Sequence, residues 1–175
     1  MKLEIRSIEA KDNPALKRLV MDTLSEFGCI GPGYASGDPE LDFMYEYYQQ
    51  PDSAFYVVED VESSEVLGCG GFSRLKGTTP EEAVCEFQKF YFSPKLRGKG
   101  MGKKLIAFAL AEAKNAGYKE AYLETIPKMT VAIALYEKMG FELLPTHRGA
   151  TGHHERCPIR MGLKLDAVST IIPCV

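Results

Sequence analysis

Three glycines interleaved with basic residues, Arg97-Gly98-Lys99-Gly100-Met101-Gly102, fall where a strand pattern gives way to a helical one. Unpaired backbone N–H groups converge at a helix start and favour an anion, and glycines let the backbone come close to it. Arg97, Lys99, Lys103 and Lys104 add positive charge at the same point, so a phosphate or pyrophosphate is a reasonable ligand. The alternative is a surface turn whose lysines are solvated. A Walker loop would need Ser or Thr after Gly102-Lys103, where the chain has Lys104, and a dinucleotide loop would need its third glycine further on.

The pattern around this turn is mixed α/β. Alternation through Leu3, Ile5 and Ser7 predicts a first strand. Asp12-Asn13-Pro14 offers a cap and a first-turn proline for a helix through Leu16, Leu19, Val20 and Leu24, ended by Gly28. Gly31 to Pro39 reads as a loop, followed by a short helix from Glu40 to about Tyr48. Ser53 to Val58 and Glu65 to Phe72 predict an antiparallel hairpin, and Ala83 to Phe92 extends the sheet. The helix after the turn runs to about Asn115, with Ile106, Ala109, Leu110 and Ala113 on its apolar face and Gly117 as its stop. Ala121 to Thr125 follows as a strand, Ala132 to Met139 as a helix stopped by Gly140, then Phe141 to Leu144 and Pro158 to Leu165 as strands. The expected organisation is one domain over residues 1–165 with a C-terminal tail over 166–175.

Charged residues make up 26% of the chain and apolar residues 45%, an ordinary globular mixture. A formal charge of -3 gives no overall attraction to phosphate backbones or anionic lipid, so neither nucleic acid nor a membrane surface is an expected partner. The start, MKLEIRSIEAKDN, carries charge every few residues and encodes neither a signal peptide nor an anchor, which makes the cytoplasm the expected compartment. Cys29, Cys69, Cys85, Cys157 and Cys174 are scattered, never in a C-x-x-C spacing, and read as reduced thiols.

Arg97-x-x-Gly100-x-Gly102, preceded by Tyr91-Phe92-Ser93-Pro94, resembles the acyl-CoA loop of the GNAT superfamily of N-acyltransferases. Ala132-Ile133-Ala134-Leu135-Tyr136-Glu137-Lys138-Met139-Gly140-Phe141 is similar to that superfamily's second signature, A-x-x-L-Y-x-x-x-G-F. The resemblance runs from about Glu86 to Phe141 in motifs. It implies a central sheet of six to seven mostly antiparallel strands flanked by about four helices, with a splayed strand pair holding acyl-CoA. It also implies acetyl transfer from acetyl-CoA, as cosubstrate, to a primary amine, with direct attack in a ternary complex. The partner it implies is a small-molecule amine. A peptide or protein acceptor, or a regulatory domain that binds acyl-CoA without chemistry, are the other readings, and a homodimer is an open assembly state.

By the same resemblance, backbone groups of Arg97, Gly98, Lys99, Gly100, Met101, Gly102 and Lys103 would hold the CoA pyrophosphate, and those of Tyr91 and Phe92 the pantetheine amides. Tyr136 would protonate the leaving thiolate, although its place on the apolar face of a helix also suits a core residue. Glu86 would take the proton of the amine, with Glu124 as second choice. One departure stands out, Met129 where many relatives carry asparagine. The segment Thr146 to Arg156 contains His147, His153 and His154, all the histidines of the chain. Adjacent His153 and His154 point apart in an extended chain and no cysteine or carboxylate spacing completes a tetrahedral set, so no metal is expected. Arg148, Arg156 and His154 are instead candidates for holding the carboxylate of an amino-acid-like acceptor, because Arg pairs with carboxylates bidentately.

Overall fold

A computed structural model describes residues 1–167, so Cys174 and most of the expected tail lie outside the described residues. In chain order the elements are β1 (Leu3–Ser7), α1 (Asn13–Glu26), α2 (Met44–Tyr47), β2 (Ala54–Asp60), β3 (Glu65–Arg74), β4 (Val84–Phe92), α3 (Met101–Asn115), β5 (Glu120–Thr125), α4 (Thr130–Lys138), β6 (Glu142–Leu143) and β7 (Ile159–Lys164). The seven strands form one sheet ordered β1-β2-β3-β4-β5-β7-β6. Neighbours are antiparallel except β4 and β5, which run parallel because α3 carries the chain between them.

Each face of the sheet has its own apolar layer. Leu105, Ile106, Ala109, Leu110 and Ala113 of α3 recur at helical spacing and are buried against Tyr56, Phe72, Phe87 and Leu123. Each buried Leu or Ile side chain there contributes roughly 1.5–3 kcal/mol. On the other face Leu16, Leu19, Val20 and Leu24 of α1 meet Phe55, Val57 and Cys69.

Two expected helix starts differ in detail. Asp12 precedes α1, with Pro14 in its first turn, but its side chain does not cap the helix. The carboxylate instead accepts two hydrogen bonds from Arg6, at 2.7 and 2.9 Å, and one from the Glu9 N–H. The expected helix from Glu40 to Tyr48 is broken at Phe43 (φ -145°, ψ 47°) into a 3-10 turn, Pro39–Asp42, and α2. Asn13 holds the second piece by accepting from the Tyr45 N–H and donating to Glu46.

The sheet opens between β4 and β5. They pair only as Val84↔Glu120, Cys85↔Ala121 and Glu86↔Tyr122, after which β4 continues to Phe92 and β5 to Thr125 without each other. A bulge bends β4 at this point. Cys69 pairs with Tyr91 and Gly71 with Gln88, which leaves one extra residue in β4, and Lys89 adopts φ 57°. Consequently Gln88 and Lys89 both face α1, whereas Phe87 and Phe90 on either side of them face α3.

Lys89 is buried, its side chain 4% exposed, with its ammonium 2.6 Å from Asp38 and 3.1 Å from Glu40. Burial works against its proton, but the two carboxylates outweigh it and hold the ammonium charged. The same ammonium keeps Glu40 ionised against its own burial. The ion triad therefore ties the loop before α2 to the bulge. Lys89→Met strands two largely buried carboxylates and is expected to cost about 3–5 kcal/mol, read as a lower midpoint in urea unfolding.

Candidate active site

The mouth of the splay leads into a cavity of about 80 Å³ whose wall includes Asp38, Glu86, Glu124, His153, Tyr34 and Met129. Glu86 is 6% exposed and faces this cavity from β4. Burial raises the proton affinity of its carboxyl, and neighbouring Glu124 adds to that. The Gln88 N–H, His153 and Lys89 work in the opposite direction, and the net shift is upward. The Gln88 amide donates to Glu86 Oε2 at 2.9 Å. Lys89, three residues on, does not pair with Glu86, since its ammonium is committed to Asp38 and Glu40.

Glu124, on β5, is the centre of a crowded network. Its Oε1 accepts from the Tyr122 hydroxyl at 2.6 Å and lies 3.3 Å from His147 Nδ1, while Oε2 accepts from Thr151 at 2.9 Å. His154 Nε2 comes within 3.0 Å of Oε1 but outside hydrogen-bond geometry. The two imidazoles stack at 4.4 Å between centroids with 23° between planes. Glu124, His147 and His154 thus bring three ligand-type atoms within 4.8 Å of one another. An imidazole lone pair lies in its ring plane, and two nearly parallel planes do not converge well on one ion, so the arrangement suits a hydrogen-bonded cluster better than a metal centre.

Of the basic residues expected around the acceptor, Arg148 is spent elsewhere: its guanidinium pairs with Glu120. Arg156 is exposed and lies over the ring of Tyr34, 5.6 Å from the centroid, at the edge of the cavity. His153 Nδ1 donates to Gly33 O at 3.0 Å and its Nε2 lies 3.5 Å from Asp38, which fixes the Tyr34 loop over the cavity. Tyr136 packs in the α3-side core, edge-on to Phe141 at 5.6 Å, and burial holds its phenol well above the ordinary range. It does not line the acidic cavity, but it lies close enough to Tyr91, which does, to interact electrostatically.

The Gly-rich turn borders the same opening. Gly98 (φ 77°) and Gly100 (φ 75°) adopt left-handed backbone, and a side chain added at either would meet nothing within 4 Å, so the turn faces open space. Helix geometry leaves the first N–H groups of α3, from Met101 to Lys103, without partners inside the helix. Met101 offers only its backbone, its side chain being buried, and likewise Tyr91 and Phe92 turn their side chains into opposite core layers. Arg97 departs from its expected place: it forms a bidentate ion pair with Glu26 of α1 at 2.5 and 2.6 Å. Lys99 Nζ lies 3.2 Å from the Met1 sulfur, and Lys103 is exposed. Asp38, Gln88 and Lys89 were not singled out by sequence. Their only sequence signal is proximity, two of them within three residues of Glu86 and the third in the Gly-rich loop.

A splayed strand pair beside an open, donor-rich helix start fits a ligand with amide groups and a pyrophosphate. The family described as Acetyltransferase (GNAT) family matches this chain over residues 16–141. The chain belongs to the GNAT acetyltransferase family. It is similar to the uncharacterized N-acetyltransferase YjgM of Escherichia coli strain K12, 43% identical over 158 residues that cover 90% of this chain and 92% of that one. The "IAA acetyltransferase" of Azospirillum brasilense is 30% identical over 112 residues, 64% of this chain and 67% of that one. Among solved structures, a GNAT acetyltransferase of Staphylococcus aureus Mu50 superposes with TM-score 0.79 at 18% identity, covering 93% of this chain and 99% of its own. The acetyltransferase YncA of Salmonella typhimurium, solved with acetyl-CoA, gives TM-score 0.72 at 20% identity, covering 99% and 100%. These two show a shared fold. The protein is an N-acetyltransferase and acetyl-CoA is its cosubstrate. Among the described residues no helix is long and apolar enough to cross a membrane.

Gly100→Val forces a branched side chain into left-handed backbone at a cost of roughly 1–2 kcal/mol and fills the open space above the turn. Isothermal titration is expected to show acetyl-CoA affinity reduced about tenfold or more, the loss of one charge-assisted hydrogen bond.

Proposed function

We propose that the acceptor is a small molecule bearing a primary amine, and that the amine attacks directly while both substrates are bound. The observation carrying this reading is the buried Glu86 carboxylate facing a small cavity at the strand splay. A cavity of about 80 Å³ is several times the roughly 10–15 Å³ that a single water requires. That space suits a compact metabolite better than an extended peptide, and an oriented buried base favours an enzyme over a passive acyl-CoA sensor.

The acceptor arrives as an ammonium and must lose a proton before its nitrogen can attack. Between Glu86 and Glu124, Glu86 is the better proton acceptor, and Asp38, the third carboxylate of the wall, is paired with Lys89. Hydroxyls of Tyr122 and Thr151 occupy both oxygens of Glu124, whereas Gln88 engages Oε2 of Glu86 and leaves Oε1 for the amine. Burial of Glu86 brings its proton affinity toward that of a useful base near neutral pH. Glu124, with Asp38, supplies negative charge that draws the ammonium in. Bound acetyl-CoA supplies the acetyl carbon on which the nitrogen forms its bond as the C–S bond breaks. Tyr136, kept protonated by burial, holds the proton that the departing sulfur takes up. Backbone N–H groups from Gly100 to Lys103 hold the pyrophosphate, the Lys99 N–H being taken by Leu96 O at 3.1 Å.

Arg156 at the rim is placed to hold a carboxylate on the acceptor, which makes an amino acid or related metabolite the favoured class; Arg148, paired with Glu120, does not share that role. A cytoplasmic location is consistent with free thiols at Cys29, Cys69, Cys85 and Cys157. Thiol release from acetyl-CoA, followed over a panel of amines, amino acids and peptides, tests the reading, and turnover confined to peptides defeats it. Glu86→Gln is expected to lower kcat by about 10²–10⁴-fold. In the native enzyme the rate should fall as pH drops through the raised Glu86 value, and this acid limb should vanish in the variant. Arg156→Ala should raise the acceptor KM about five- to tenfold, with Arg148→Ala leaving it unchanged.

A further inference from the structure

We propose that Gln88 is a positioning residue for this reaction: its amide, clamped by the hydroxyls of Tyr48 and Ser73, turns an N–H onto Glu86 and keeps the other Glu86 oxygen aimed into the cavity as proton acceptor. This rests on Glu86 being that acceptor. The Gln88 amide oxygen receives the Tyr48 hydroxyl at 2.7 Å and the Ser73 hydroxyl at 3.2 Å, and the amide nitrogen faces Glu86 Oε2 at 2.9 Å. Tyr48 is buried in the α1-side layer, stacked 4.6 Å from Phe55, and its burial holds the phenol protonated, so it must donate. An amide whose oxygen is taken by two donors has only its N–H₂ left for the carboxylate.

The reverse orientation would set the amide oxygen against an ionised carboxylate and leave the Tyr48 proton facing an N–H₂. The clamp therefore selects the ionised form of Glu86, the form able to accept a proton. Strand alternation puts Gln88 on the face of Glu86, and the bulge that follows brings Lys89 onto that same face. The other charged and titratable groups facing Glu86 are Glu124 and Tyr122 of β5, His153 and Cys157 of the segment before β7, and Lys89 and Tyr48. None of them donates a hydrogen bond to Glu86.

Infrared difference spectroscopy of the whole protein reads the protonation of Glu86 without an acceptor, the band being assigned by its loss in Glu86→Gln. In Gln88→Met, close in shape but without a donor, the Glu86 midpoint is expected about one to two pH units higher than in the native protein, the worth of a hydrogen bond to a charged group. Tyr48→Phe frees the amide to turn and should move the midpoint in the same direction by less; it serves as the test if Gln88→Met does not fold. With a turnover assay, the acid limb of kcat should follow the midpoint in each folded variant while the acetyl-CoA KM stays constant. A midpoint unmoved in a folded variant, or a rate lost equally at every pH, overturns the inference. Full activity in Glu86→Gln would instead overturn the assignment of Glu86 itself.

Discussion

The early end of the pairing between β4 and β5 is the constraint on which the other features depend. Three residue pairs join the strands, and beyond Glu86 and Tyr122 they diverge. A parallel pair buried on both faces would ordinarily run on, because each unpaired N–H and C=O has to find another partner. Here the bulge at Lys89 bends β4 away, and the ion triad with Asp38 and Glu40 secures the bend. The backbone edge so exposed can receive the amides of a ligand, the turn at Gly98 to Gly102 faces the same opening, and the acidic cavity lies behind it.

Two of the three carboxylates in that cavity wall, Glu124 and Glu86, sit in contrasting surroundings. Glu124 is 3% exposed at its side chain, yet hydroxyls of Tyr122 and Thr151 and an imidazole of His147 compensate its burial. Glu86 is equally removed from water with a single amide in support. A buried carboxylate with a single donor gains by taking a proton, which is the situation of Glu86. Position in the sheet produces the difference: β5 lies next to β7 and the loop that brings the histidines and Thr151, while β4 at Glu86 has only the α1-side layer.

Much of the architecture was legible in the sequence. Apolar residues of α3 at helical spacing, the glycines at the turn and the alternation in β2 and β3 are local signals, and each element forms where its signal lies. The break at Phe43 was not legible, because the agent that splits the helix is the side chain of Asn13, some thirty residues away in sequence. Nor was the bulge, since positive φ at a lysine carries no residue signature and is sustained by carboxylates from a distant loop. The acidic cavity residue Glu86 was anticipated through its motif; Gln88 shares its face by alternation, but the contact of its amide with Glu86 is set by Tyr48 and Ser73, which are distant in sequence. Arg97 illustrates a limit of charge reading: a cation beside a phosphate-type turn finds Glu26 on a neighbouring helix, which composition around the turn does not reveal.

Gly102 has a bearing on the timing of the chemistry. A Cβ at this position would lie 3.1 Å from Leu135 and 3.6 Å from Phe92, so the first turn of α3 rests directly against α4 and the last residue of β4. Leu135 precedes Tyr136. The glycine therefore acts as a spacing gauge between the end of the molecule that grips the cosubstrate and the phenol that would meet its sulfur. A ligand that tightens the turn would press on α4 at Leu135, and Tyr136, the next residue, would register its arrival.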